Sequence, residues 1–163
     1  MTNKSLIAAA LALLILTGCS NLPKFDTRQV DRSLIPSHVV SDIKTLKGKT
    51  IMWGGTILSG KNFKDSSRLE VLAYPLDSDG WPERDQKPLG RFYVTEKGYL
   101  ETADYAQGRL ITVIGTVTGV IKATVGESPY TYPNIQSQQL HLWDKFDRKS
   151  NTGVHFGIGV MFH

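Results

Sequence analysis

The chain has 163 residues, 40% hydrophobic and 21% charged, and its 19 Lys+Arg against 15 Asp+Glu leave a formal charge of +4. That is the balance of a globular protein, and 15 glycines with 7 prolines in no repeat favour a turn-rich β fold over a helical bundle. A single cysteine excludes an internal disulfide and a multi-cysteine zinc site.

Met1 to Ser5 is polar and carries Lys4, and Leu6 to Leu16 is a run of 11 apolar residues without charge. This pattern reads as a secretory signal peptide over 1–18, since the run is about half the ~20 residues a membrane-spanning helix needs. Leu16-Thr17-Gly18-Cys19 resembles the lipobox of a bacterial lipoprotein, in which small residues precede the cut and Cys19 takes the lipid. A diacylglyceryl thioether with an N-acyl chain holds a protein stably on a bilayer, because each buried CH₂ is worth about 0.8 kcal/mol. Covalent lipid on Cys19 is therefore expected, with no other cofactor and no bound metal. Ser20 and Asn21 follow, and the lack of Asp there implies, by resemblance to enterobacterial sorting rules, the outer membrane. Without residues 1–18 the charge falls to +3, too small an excess for a nucleic-acid footprint.

Residues 19–49, with Pro23 and Pro36 and little periodicity, are expected to form a lipidated tether that first touches the domain near Val39 to Leu46. From Thr50 on, β-branched and aromatic runs alternate with turn signals, predicting strands near 50–58, 68–75, 90–94, 109–122 and 135–143. In the fourth, Ile111, Val113, Val117 and Ile121 share one face, and Gly115 and Gly119 mark bends. The order of elements, with a short turn at Asp104-Tyr105-Ala106 before the long strand, predicts an all-β, five- to six-stranded, OB-like barrel over 50–143.

Two motifs tempt and fail. Placing Gly80 of Asp77-Ser78-Asp79-Gly80 at the sixth position of a calcium loop puts Pro75 first and Gln86 twelfth, where acids are required, so the segment reads as a turn. Gly48-Lys49-Thr50 copies the tail of a phosphate loop, but Ile43 stands where the earlier glycine belongs. No G-x-S-x-G or H-E-x-x-H motif occurs, and His38, His141, His155 and His163 are scattered. The chain is expected not to be an enzyme. Glu70, Asp104 and His141 are the groups an enzymatic reading would use.

Further residues carry a resemblance: Trp53-Gly54-Gly55, Asn62, Leu69 through Asp77, Gly90-Arg91-Phe92, Gly108-Arg109 leading into Thr112-Val113-Ile114-Gly115, Gly126 through Pro133, and His141-Leu142-Trp143. With these the chain resembles the Slp-type outer-membrane lipoproteins, the starvation-inducible lipoprotein family of Gram-negative bacteria. The resemblance implies a lipid-anchored, stress-induced envelope protein and supplies no catalytic residues. Read physically, Gly54 and Gly55 permit a bulge or a close approach, Tyr130 and Tyr132 flank a proline-bounded turn, and Trp143 closes a strand. These five, with Trp53 as the sixth, are the candidate binding or structural positions.

After a polar linker at 144–152, Val154, Phe156, Ile158, Val160 and Phe162 alternate strictly with His155, Gly157, Gly159 and Met161. Such a strand either completes the domain's own sheet as an edge or pairs with a partner or membrane surface. The expected function is a non-catalytic structural or binding role in the envelope; the alternative is an enzyme or carrier acting on a small molecule in the barrel. Expected partners are outer-membrane lipid through the acyl anchor, together with an envelope protein, lipopolysaccharide or peptidoglycan. Nucleic acid is not expected, because secretion removes it.

Overall fold

The structure is a computed structural model and describes residues 23–144. The segment around Cys19 and the strand expected at Val154 to Phe162 lie outside the described residues. Two short helices, α1 (Pro36–Ser41) and α2 (Ile43–Leu46), precede five strands: β1 (Thr50–Asn62), β2 (Ser66–Tyr74), β3 (Gly90–Lys97), β4 (Leu110–Val125) and β5 (Ser128–Leu142). The strands close into a barrel in the order β1-β2-β3-β5-β4, antiparallel throughout except for the β3–β5 pair. This is the expected OB-like all-β barrel.

Period-two alternation builds it. In β2, Ser67, Leu69, Val71 and Ala73 are buried while Arg68, Glu70 and Leu72 point outward. Phe92 and Val94 of β3, Ile111, Val113 and Val117 of β4 and Ile135 of β5 meet them inside, with Trp53 edge-on to Phe92 at 5.2 Å. Each fully buried aliphatic side chain of this set contributes about 1.5–3 kcal/mol. The long β4 bends where Gly115 and Gly119 suggested, at register shifts against β5 between Ile114 and Gly115 and between Val117 and Gly119. Ile121, past the second shift, leaves the core and is half-buried. At Gly55 the strands approach so closely that a Cβ would lie 1.9 Å from the Leu72 carbonyl oxygen.

Two expectations are corrected. Tyr130 and Tyr132 do not flank a turn: β5 starts at Ser128, seven residues before the expected start, and the turn is Gly126-Glu127. Pro129 and Pro133 suggested a break, yet β3 pairs with β5 only at Asn134 to Gln136. Before that point β5 has a neighbour on one side only, where a proline's missing N–H is tolerated. Gly126 supplies the positive φ, 59°, that a two-residue hairpin loop needs.

The stretch expected as a tether also packs on the barrel well before Val39. Phe25 meets His141 and Trp143 at ring-centroid distances of 6.0 and 6.4 Å, the Lys24 carbonyl accepts from Gln139 Nε2, and the Leu34 carbonyl accepts from Trp53 Nε1 at 2.7 Å. Phe25, Leu34, Ile35, Val39 and Leu46 give this strap enough apolar surface to dock, which a reading based on its charges and prolines overlooks. Among the described residues no helix is long and apolar enough to cross a membrane.

Candidate functional site

The outer faces of β2, β3 and the first half of β5 form one continuous surface. Register sets it: Glu70 lies opposite Tyr93, Leu72 opposite Arg91, and Tyr93 opposite Asn134 of β5. Glu70 is its hub. Glu70 Oε1 accepts from Arg91 Nη1 at 2.7 Å and from Tyr132 Oη at 3.0 Å, and its Oε2 accepts from Ser59 Oγ at 3.2 Å. The Arg91 backbone N–H donates to Tyr130 Oη at 2.9 Å. Burial, reinforced by the bond to Glu70, pushes the Tyr132 phenol up to about 12, and burial raises that of Tyr93. The Glu70 hydrogen bond raises Arg91. These phenols therefore stay neutral, and the Arg91 charge is compensated in place.

From this hub a ladder of rings and cations runs outward. Tyr130 meets Tyr132 at 4.7 Å, Tyr132 stacks on Tyr93 at 4.3 Å and 18°, and the Arg68 guanidinium lies 5.4 Å from Tyr93 and 5.2 Å from Phe63. Lys61 Nζ closes the far end, 5.4 Å from the Phe63 ring. Tyr132 is buried beneath its neighbours, whereas Phe63 is 44% and Tyr99 67% exposed. Tyr99 stands in a loop tied to the β1–β2 hairpin, since the Gly98 N–H donates to the Asp65 carbonyl and Asn62 Nδ2 to the Leu100 carbonyl. Arg68 Nε is buried with no hydrogen-bond partner among the described residues. Chemically the surface offers ring faces, phenol hydroxyls and two cations, Arg68 and Lys61, that make no ion pair among the described residues.

Of the positions expected from the sequence, Tyr130 and Tyr132 lie here and the others lie elsewhere. Trp53 is inside the barrel, and Gly54 and Gly55 lie at crowded strand contacts. Trp143 is 2% exposed on the other side of the molecule, donating through Nε1 to Thr112 Oγ1 at 2.9 Å, while that hydroxyl donates to the Gly80 carbonyl at 2.6 Å. Trp81 and His141 pack on Trp143 at 4.8 and 4.5 Å. Asp77-Ser78-Asp79-Gly80 is a turn, Asp77 Oδ1 accepting from the Asp79 and Trp81 N–H groups. Glu70 belongs to the ladder's hub, His141 to the Trp143 cluster, and Asp104 is exposed in a turn. Phe63, Arg68 and Tyr93 were missed, although the alternation through Ser67-Arg68-Leu69-Glu70-Val71 already turns Arg68 and Glu70 outward.

The family model of the outer membrane lipoprotein Slp family matches residues 16–159. The chain belongs to that family. This Slp-family chain is 29% identical over 143 residues to an uncharacterized lipoprotein of Escherichia coli, YeaY, covering 86% of this chain and 72% of that one. It is 24% identical over 147 residues to the outer membrane protein Slp of the same organism, with 88% and 76% covered. An uncharacterized protein of Haemophilus influenzae shares 30% identity over 131 residues, with 78% and 70% covered. The protein is an outer-membrane lipoprotein of this family.

Proposed function

We propose that this lipoprotein is a non-catalytic binding module of the envelope, anchored by lipid on Cys19, with the ladder from Lys61 to Tyr130 as its binding surface. The observation that carries this reading is that, among the described residues, the ladder ends in an exposed ring, Phe63, beside the Arg68 guanidinium, whereas Trp143 on the other side of the barrel is buried under the strap and the Gly80 turn. Apolar surface left exposed and rimmed by polar groups marks interaction sites. The separate settings of Glu70, Asp104 and His141 support a binding role over a catalytic one. A role in starvation or stress rests on the family resemblance, and transcript levels on entry into carbon starvation test it.

The binding test is in-cell photo-crosslinking of the full lipoprotein from a reactive side chain at position 99. A discrete crosslinked species that disappears in Arg68→Gln supports the reading, and an unchanged or empty pattern removes it. Outer-membrane fractionation of Cys19→Ser tests the anchor in parallel, with release into the soluble fraction expected.

A carrier reading has one observation in its favour. A cavity of about 330 Å³ lies under the strap, lined by Leu34, Ile35, Trp53, Leu76 and Leu89 with Arg32 among them. Filling it with Leu89→Trp abolishes function on that reading and leaves the ladder reading untouched.

A further inference from the structure

The ladder holds two arginines in contrasting states. Arg91 is committed to Glu70. Arg68 has no carboxylate among the described residues, and its guanidinium is framed by the rings of Phe63 and Tyr93. Two rings within 5.4 Å of the guanidinium restrict its movement, so a contact with a carboxylate or phosphate costs less further ordering. The rings themselves present electron-rich faces to the electropositive C–H faces of a sugar. The surroundings agree in sign: the hairpin from Ser59 to Arg68 carries Lys61, Lys64 and Arg68 against Asp65 alone.

The anchor adds a direction. Cys19 precedes Phe25 by six residues, and at ~3.6 Å each the intervening chain reaches roughly 20 Å at most. Phe25 is fixed against His141 and Trp143, beside the first half of β4. In the ring β1-β2-β3-β5-β4, the pair β2–β3 lies across the barrel from β4. The anchored end of the strap therefore enters on the β4 side, and the Arg68 face lies across the barrel from that entry. A face on the far side from the anchor is better placed for a ligand that stands off the bilayer than for one embedded in it.

We propose that the Phe63–Arg68–Tyr93 surface binds a carboxylate-bearing glycan polymer standing off the anchoring membrane, with Arg68 holding a carboxylate and the rings packing on sugar. This rests on the binding reading above and on lipidation of Cys19. Intact, detergent-solubilised lipoprotein is sedimented with purified peptidoglycan sacculi, native or with their carboxyl groups amidated, and in a separate arm with vesicles containing lipid A. The expected result is saturable sedimentation with native sacculi, weakened about tenfold by amidation and by Arg68→Gln, the worth of one charge-assisted contact. Phe63→Ala, at an exposed position that the fold does not need, weakens it as well. Equal binding to amidated sacculi, wild-type binding by Arg68→Gln, binding to lipid A vesicles in place of sacculi, or no sedimentation overturns the proposal. In each of those cases an Arg68-dependent crosslink from position 99 still upholds the binding reading, so the two fail separately.

Discussion

The barrel has two aromatic outer faces with opposite fates. On the β1–β4 side, Phe25, Trp81 and Trp143 are tied together by the strap, by the turn at Gly80 and by the Thr112 hydroxyl, which accepts from one indole and donates to one carbonyl. On the β2–β3–β5 side, Tyr132 is buried, Tyr130 and Tyr93 are half-buried and Phe63 is exposed, with cations between and beside the rings. Similar residue types serve stability in one place and present a surface in the other. The difference comes from what lies above them. A segment of chain covers the first face, and no described segment covers Phe63 or Tyr99.

That contrast breaks most visibly at Trp143. Trp143→Ala removes a buried indole from the covered face and is expected to destabilise the protein by about 3–5 kcal/mol, measured by urea unfolding. Thr112→Val is isosteric but leaves the Trp143 Nε1–H and the Gly80 carbonyl without their partner, so a loss of about 2–3 kcal/mol is expected in the same assay.

The inner layer of the open face responds to pH. The Tyr132 phenol lies at about 12 in the fold against its ordinary 10.0, so the folded state favours the neutral form. Its contribution is complete below pH 10 and is lost as pH rises through about 12. Stability curves should therefore show a component lost between pH 10 and 12 that is missing in Tyr132→Phe. If both proteins lose stability alike across that range, the bond between Tyr132 and Glu70 contributes nothing.

The smallest effect sharpens the comparison most. Phe63→Ala on the bare end should change unfolding free energy by no more than about 0.5 kcal/mol while impairing binding. A large stability loss there would make the open face a second structural layer and erase the difference between the two sides.

Much of this was legible in the residues. Alternation through β2, the apolar and β-branched run of β4 with its bends at Gly115 and Gly119, and the turn at Gly80 follow from local chemistry, and they suffice for a small closed barrel. The candidate surface was half legible. Tyr130 and Tyr132 stood out, but Pro129 and Pro133 disguised their strand, and Phe63, Arg68 and Tyr93 come from three separate elements or turns that meet only when β2 pairs with β3. Trp53 and Trp143 stood as candidate binding or structural positions alongside the two tyrosines, and both are buried.

By itself the sequence determined the export and lipidation pattern around Cys19, the β class and the faces of single strands, because these depend on local composition and on a period of two. Only the tertiary structure decided that residues 23–49 are a strap, that Trp143 is covered and that Arg68 lies framed between Phe63 and Tyr93. Such contacts join residues far apart in the chain, and a side chain's burial depends on which distant segment closes over it.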